Sequence, residues 1–182
     1  MQLWGIDFGW KKLCVATRSN GWWKVFAMIV EEAEHEDECL KAHLDFWKSL
    51  TEKHLILPAF FVYEMPIPKV GSTAYRYICM AQGVWASILP YGCGYYGMYP
   101  SELKRLMGVQ DRKELRKTFE SQRKSITLYK YKTNGKLNRM VFVKSAAVDA
   151  VRKSRIQADV LDAIIAATVA VKLVGQRKQK GA

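Results

Sequence analysis

The residues of this chain best suited to chemistry are four carboxylates. Asp159 and Asp162 lie in QADVLDAIIAA, residues 157–167, a stretch that is otherwise almost entirely apolar. On a helix, two residues at this spacing lie on one face about one turn apart. Asp7 follows the apolar run LWGI, and Glu64 lies near the end of the run PAFFVYEMP. Carboxylates that are buried together repel one another, so the pattern predicts a cation that neutralises them.

An all-oxygen donor set favours a hard divalent cation such as Mg²⁺, for which Mn²⁺ can substitute. Two such ions about 3.5–4 Å apart would activate a water and stabilise the leaving oxygen in phosphodiester hydrolysis. Each carboxylate also has a simpler interpretation. Asp7 could form a turn with Gly9, Glu64 could be solvated, and the two aspartates of the helix could lie on an exposed edge. The combination of all four favours a metal centre.

The elements that must position these carboxylates follow from the apolar pattern. Alternation predicts strands, and spacing of three to four predicts helices. Asp7 and Glu64 then lie at the carboxyl ends of strands, where mixed sheets bind ligands. The predicted strands cover 3–8, 13–19, 22–30, 58–66 and part of 91–99, with a β-hairpin at 125–143 around Asn134-Gly135. The predicted helices cover 38–53, 72–89, 100–108, 111–124 and about 155–173, and a basic flexible tail follows at 174–182.

The net charge of +12 is concentrated in one block. Residues 104–155 hold 16 Lys and Arg against 4 Asp and Glu, whereas the other residues hold 13 of each. Such a block indicates a polyanionic partner, most simply nucleic acid held through its phosphates. A solubilising surface is the alternative interpretation.

The composition predicts one globular domain in a reducing compartment. Hydrophobic residues make up 49% of the 182 residues and charged residues 25%, which is typical of a folded chain. The four cysteines show no paired spacing, so we expect free thiols and a cytoplasmic location. The sequence contains neither a secretory pattern at its N-terminus nor an apolar run of the roughly 18 residues that would predict a membrane span.

Five short stretches occur in an order that is similar to that of a known nuclease family. GIDFG at 5–9, VYEMP at 62–66 and QADVLDAIIAA at 157–167 look like three acidic motifs. CMAQGVWASIL at 79–89 resembles the helix after the glutamate strand, and YPSELKRLMG at 99–108 resembles a segment that carries a lysine. The family is that of the RuvC Holliday junction resolvases, within the RNase H-like superfamily. Each acidic motif is short, so it is the combination of the five stretches that is specific to the family, and together they extend over most of the chain.

The resemblance implies an α/β, RNase H-like fold. This fold has a mixed five-stranded sheet with the first three strands antiparallel, helices on both faces and here a basic hairpin insertion at 125–143. It also implies a homodimer, with the 72–89 helix at the interface, that nicks two opposed strands of a four-way DNA junction and leaves 5′-phosphate ends. Two Mg²⁺ ions per active site and a lysine near the scissile phosphate belong to the implied site, whose residues are Asp7, Glu64, Asp159, Asp162 and Lys104.

Further basic and aromatic residues near these motifs are predicted to contact the DNA. Lys11 and Lys12 could instead form a solvated turn, and the alignment of Lys113 with a second family lysine is looser. The hairpin, with Lys130, Lys132, Lys136 and Arg139, could be a DNA arm or a scaffold with a charged face. The predicted contacts are Lys11, Lys12, Lys69, Tyr75, Arg76, Lys104, Arg105, Arg112, Lys113, Arg116 and Lys117.

The chain departs from the family pattern in two places. Bacterial members carry a wedging aromatic residue in the loop after the glutamate, but here the loop reads MPIPKVGSTAYRY. The wedge would be Ile67 or Tyr75, or there is none. The basic segment 109–155 is also longer than in the bacterial pattern. This indicates a divergent member of phage or viral type, and a location in a bacterial cytoplasm or an infected host cell.

Two other functions share these carboxylates. One is an RNase H-like nuclease that cuts flaps or RNA–DNA hybrids. The 72–89 helix and the Lys104 segment favour a junction resolvase over such a nuclease. The other is a junction-binding protein without chemistry, against which the retained carboxylates argue. His35, His43 and His54 lack metal-ligand spacing, and we expect all three on the surface. The tryptophans are expected in the core, with Trp10 undecided.

Overall fold

The computed structural model of the chain describes residues 1–19, 22–30, 33, 35–66, 68, 72–108, 125–131, 137–143 and 157–180. Its strands are β1 (Gln2–Phe8), β2 (Lys12–Ser19), β3 (Trp22–Val30), β4 (Ala59–Glu64), β5 (Cys93–Met98), β6 (Ser125–Tyr131) and β7 (Leu137–Val143). Its helices are α1 (Glu36–Lys53), α2 (Thr73–Ile88), α3 (Pro100–Met107) and α4 (Gln157–Lys180). Among the helices described, none is long and apolar enough to cross a membrane.

The strands form one mixed sheet in the order β5-β4-β1-β2-β3-β6-β7. β1, β2 and β3 are antiparallel, as predicted, whereas β4 pairs parallel with β1 and β5 parallel with β4. The five neighbouring strands from β5 to β3 in this order are those expected of the RNase H-like fold. The predicted hairpin forms as β6 and β7, and it widens the sheet to seven strands because β6 pairs in parallel with β3.

Side-chain alternation decides what each face of the sheet packs against. On β1, Trp4, Ile6 and Phe8 lie in a buried cluster with α1 and α2. Leu3 and Gly5 point to the opposite face, where they meet α4. Helices therefore cover both faces of the sheet, and the core is divided into two layers.

Local signals set the ends of the shorter helices. The Ser72 side chain caps α2 by accepting a hydrogen bond from the Tyr75 amide at 3.3 Å. At the start of α3, Glu102 accepts hydrogen bonds from the Tyr99 amide at 3.1 Å and from the Tyr96 hydroxyl at 3.0 Å. Gly108 follows α3 with a φ of +70°, the left-handed conformation that commonly ends a helix.

The predicted end of the last helix at 173 is wrong. α4 continues to Lys180, through part of the segment expected to be a flexible tail. The Gln, Arg and Lys residues there are good helix formers, and the lone Gly175 costs only about 1 kcal/mol. The helix predicted at 111–124 lies outside the described residues.

Candidate metal and nucleic-acid site

Helix α4 crosses β1 at Gly5, where the two backbones touch. A Cβ atom at position 5 would overlap the backbone of Ala163 and of Ala167, and it would lie 2.7 Å from the carbonyl carbon of Ala166. Glycine on the strand and alanines on the helix thus bring the two elements closer than larger side chains would allow. This contact sets the height of α4 above the sheet.

Asp7 and Glu64 lie on adjacent parallel strands. β1 and β4 pair in register up to Ile6 and Tyr63, and the two carboxylates are the next residue of each strand. Both continue the row that faces α4, because each lies two positions beyond a residue of that row, Gly5 or Val62. Neighbouring strands are about 4.8 Å apart, so these two carboxylates share one edge of the sheet.

Asp159 lies above Asp7. α4 runs antiparallel to β1, since its later residues Ala167 and Val171 lie beside Leu3 at the start of the strand. Going back from Ala163 to Asp159 covers about 6 Å of helix, which matches the roughly 6.6 Å of strand from Gly5 to Asp7. The two aspartates accordingly line the same open cleft, of about 320 Å³.

Cys14 marks the centre of this charged region. It pairs with Asp7 across β1 and β2 and is completely buried. Burial raises the pKa of its thiol well above the usual value, and the carboxylates of Asp7, Asp159 and Asp162 raise it further, whereas the Lys12 ammonium lowers it. Asp162 is itself only 7% exposed. Three of the four predicted carboxylates therefore lie near enough to this buried thiol to raise its pKa.

Lys12 approaches the carboxylates directly. Its Nζ lies 3.7 Å from Oδ2 of Asp159, and the two side chains are 35% and 28% exposed. Both residues line the same cleft as Asp7. From its sequence Lys12 is predicted only to contact DNA or to lie in a solvated turn, because nothing local in a Lys-Lys pair predicts an ion pair with a residue far along the chain.

The donor set of this site fits a hard divalent cation in its chemistry. Asp7, Glu64, Asp159 and Asp162 are all oxygen ligands, and a cationic ammonium already lies beside one of them. The side chains are less closely gathered than the backbone positions. Within the part of the chain that is described, no group of three or more His, Cys, Asp or Glu side chains is arranged closely enough to hold a metal ion. Binding of a metal ion by these carboxylates is therefore proposed.

The predicted DNA contacts that the structure describes lie on several different elements. The ammonium of Lys11 donates to the Ala33 carbonyl at 3.5 Å, and Arg76 forms an ion pair with Glu36 at 2.9 Å. Arg105 is exposed, and Tyr75 is half-buried. Lys104 belongs to α3, which packs beside α4 through Leu103. The structure does not describe the Lys104 side chain, nor Ile67, Lys69, Arg112, Lys113, Arg116 and Lys117.

An aromatic cluster anchors the turn after Asp7 from the other side of the sheet. Trp10 stacks on Tyr77 of α2, with ring centroids 4.5 Å apart and planes 10° apart. His43 of α1 donates from Nε2 to the Trp10 carbonyl at 3.0 Å. The Tyr77 hydroxyl in turn donates to Glu36. Trp10, which the sequence left undecided, therefore connects the turn to both α1 and α2.

The expectation that all three histidines lie on the surface is wrong for His43. His43 is completely buried, whereas His35 is exposed. Burial lowers its pKa, and hydrogen bonds to the carbonyls of Trp10 and Gly9 offset part of that effect. The spacing of α1 contained the signal, since its buried positions are Cys39, Ala42, His43, Phe46, Trp47 and Leu50, an unbroken apolar stripe that includes the histidine.

Comparison of the structure with solved structures identifies the class of fold. RuvC of Thermus thermophilus in complex with a Holliday junction substrate aligns with a TM-score of 0.57 and 12% identity, over 95% of this chain and 96% of that chain. A second structure of Thermus thermophilus RuvC aligns with a TM-score of 0.56 and 14% identity, over 96% and 97%. The chain thus has a RuvC-type, RNase H-like fold. Comparisons with protein-family models and with curated protein sequences gave no match.

Proposed function

We propose that this protein is a divalent-metal-dependent endonuclease that resolves four-way DNA junctions. The observation that carries the proposal is the convergence of carboxylates at one edge of the sheet. Asp7 and Glu64 lie near the ends of adjacent strands, Asp159 lines the same cleft as Asp7, and Asp162 acts with these two aspartates on the Cys14 thiol. In a RuvC-type fold, a cluster of this chemistry is suited to two-metal hydrolysis of a phosphodiester.

The four carboxylates would hold Mg²⁺ or Mn²⁺. When bound, two such ions would activate a water and stabilise the leaving oxygen. Departure of the 3′ oxygen would leave the 5′-phosphate that the resemblance to the family implies. The chain itself supplies the positioning. The Gly5 contact sets the height of the α4 aspartates, and the apolar residues around Asp162 hold that carboxylate in place and exclude water. Lys104 would contact the scissile phosphate.

The basic block at 104–155 supports DNA as the substrate. Its excess of positive charge equals the whole net charge of +12. Phosphate contacts by such a block would provide affinity without sequence specificity. Four-way junctions are proposed over flaps or hybrids because the solved RuvC that aligns over 95% of this chain is bound to a Holliday junction.

A homodimer through α2 is part of the proposal. Only Ala81 and Trp85 of this helix are buried, although it is rich in apolar residues. Cys79, Gly83 and Ala86 are exposed, and small residues at such spacing allow two helices to approach closely. A dimer would place two active sites on opposite strands of one junction. The free cysteines suit the reducing cytoplasm of a bacterium or an infected host cell.

Cleavage of a labelled four-way junction in Mg²⁺ tests the proposal. Duplex, flap and RNA–DNA hybrid substrates of the same sequence serve as controls. Paired, symmetric nicks in the junction alone are expected. Preferential cleavage of flaps or hybrids would replace the junction by one of those substrates, and binding without cleavage would favour a non-catalytic junction-binding protein.

Two pairs of matched variants test the carboxylates. Asp7→Asn and Glu64→Gln should abolish cleavage but leave junction binding intact, because they remove the charges that would hold the metal. Asp37→Asn and Glu52→Gln, which make the same changes at exposed positions of α1, should cut like the wild type. Cleavage by Asp7→Asn or Glu64→Gln at the wild-type rate would contradict the metal-dependent mechanism.

A further inference from the structure

Lys12 is directed into the carboxylate site by the strand that carries it. It is the first residue of β2, and it lies two positions before Cys14, on the face of the sheet that α4 covers. From this position its Nζ reaches to 3.7 Å from Oδ2 of Asp159 at the open side of the cleft. The two side chains are 35% and 28% exposed, although Oδ2 of Asp159 itself is buried.

The backbone around Lys12 is anchored. The Val30 amide donates to the Lys11 carbonyl at 2.8 Å, and the Trp10 ring is stacked on Tyr77 on the other side of the sheet. A Cβ atom at Gly9 would overlap the Lys12 carbonyl, so the turn is closed tightly. Only rotation of its own side chain can therefore move the Lys12 ammonium away from Asp159.

Lys12 balances part of a strongly negative region. Three carboxylates, those of Asp7, Asp159 and Asp162, act on the Cys14 thiol, and among the residues that the structure describes Lys12 is the cation that opposes them. A positive charge stabilises the ionised form of neighbouring carboxylates. An ion pair with this exposure is nevertheless weak, because water screens it. A divalent cation, with twice the charge, would be able to displace the ammonium.

We propose that Lys12 is an intramolecular counter-cation of the carboxylate site, which holds Asp159 in the metal-free protein and is displaced from it when a divalent ion binds. This inference rests on the proposed function for its second half only. Lys12 is in this view a positioning residue that competes with the metal, and it offsets part of the negative charge of the site before metal arrives.

The test compares the wild type with Lys12→Met, Lys12→Arg and the control Lys48→Met. Lys48→Met removes the same charge from an exposed position of α1, on the opposite face of the sheet. Melting temperature in EDTA and Mn²⁺ affinity by isothermal titration calorimetry are measured for each protein. Neither measurement depends on cleavage.

In EDTA, Lys12→Met is expected to melt at a lower temperature than the wild type, because the carboxylates lose their counter-charge. Its Mn²⁺ dissociation constant should fall by up to about fivefold, because the competing cation is gone and the ion pair that it formed was weak. Lys12→Arg and Lys48→Met should resemble the wild type in both measurements.

Two results would overturn the inference. An unchanged melting temperature and Mn²⁺ affinity, with weaker DNA binding, would make Lys12 a plain phosphate contact. Weaker Mn²⁺ binding by Lys12→Met would show that the lysine supports the metal rather than competes with it. Failure of every protein, wild type included, to bind Mn²⁺ would overturn the proposed function and the displacement step, whereas the measurement in EDTA tests the counter-cation separately.

Discussion

The contact between Gly5 and α4 makes a prediction that joins stability to activity. In an ordinary strand, replacing glycine by alanine is favourable by about 0.5–1 kcal/mol, because the chain loses less conformational freedom on folding. At position 5 the added Cβ would overlap backbone atoms of α4 and approach the Ala166 carbonyl carbon to 2.7 Å. Backbone atoms cannot rotate away as a side chain can. Gly5→Ala should therefore destabilise the protein.

The size of the effect follows from the overlap. Carbon atoms pack at about 3.5–4.0 Å, so α4 must retreat from β1 by about 1 Å in the Gly5→Ala variant. Overpacking of this kind costs about 1–3 kcal/mol, which lowers the melting temperature of a chain of this size by about 2–12 °C. The same retreat would carry Asp159 and Asp162 away from Asp7 and Glu64. A displacement of about 1 Å at a catalytic centre can reduce the rate about 100-fold.

Calorimetric melting and single-turnover junction cleavage measure the two effects. Gly175→Ala is the matched control, since it lies on the same helix and its Cβ would meet nothing within 4 Å. It should stabilise the protein by up to about 1 kcal/mol and leave cleavage unchanged. If Gly5→Ala melted no lower than the wild type, the close contact would be refuted. A loss of stability at the wild-type cleavage rate would separate the contact from the positioning of the carboxylates.

Four further predictions concern stability and DNA. The lowered pKa of His43 means that the unfolded chain binds its proton more readily, so this residue contributes stability above about pH 6.5 that is lost as the pH falls. Chemical unfolding of His43→Gln between pH 7.5 and 5 should show a weaker loss than the wild type, and His35→Gln an unchanged one. Trp10→Ala should lower the unfolding free energy by about 1–3 kcal/mol because it removes the stack on Tyr77, whereas Tyr77→Phe, which keeps the ring, should cost less than about 1.5 kcal/mol; equal losses would refute the stack. Lys104→Ala should slow single-turnover cleavage with little change in junction affinity, and the reverse result would make it an ordinary phosphate contact. Junction affinity should fall steeply between 50 and 200 mM salt, and a flat dependence would exclude the basic block as the DNA surface.

Much of the fold was predictable because its signals are local. Alternation on β1 and β2, the Ser72 cap of α2 and the proline and glycine that bound α3 all depend on residues a few positions apart. The hairpin at 125–143 was also correctly predicted from its sequence. Its attachment to β3 was not, since pairing of strands about 100 residues apart leaves no trace in either strand alone.

In the carboxylate site, too, the local features could be predicted from the sequence and the long-range contacts could not. The sequence singled out four carboxylates as candidates, because a carboxylate inside an apolar run is unusual wherever it occurs. The sequence could not predict which residues these carboxylates contact. The wrong expectation for His43 arose because a histidine was judged by metal-ligand spacing and not by its place in the stripe of α1.

The sequence by itself determined which residues are acidic within apolar segments, where strands and helices lie and where positive charge collects. Only the tertiary structure decided that α4 packs directly against Gly5 of the sheet and that Asp159 lies over Asp7. It also decided that the ammonium beside Asp159 is that of Lys12. The physical reason is that secondary structure follows from periodicity within a segment. Contacts between segments depend on register and on the distance between backbones, which are settled only when the whole chain packs.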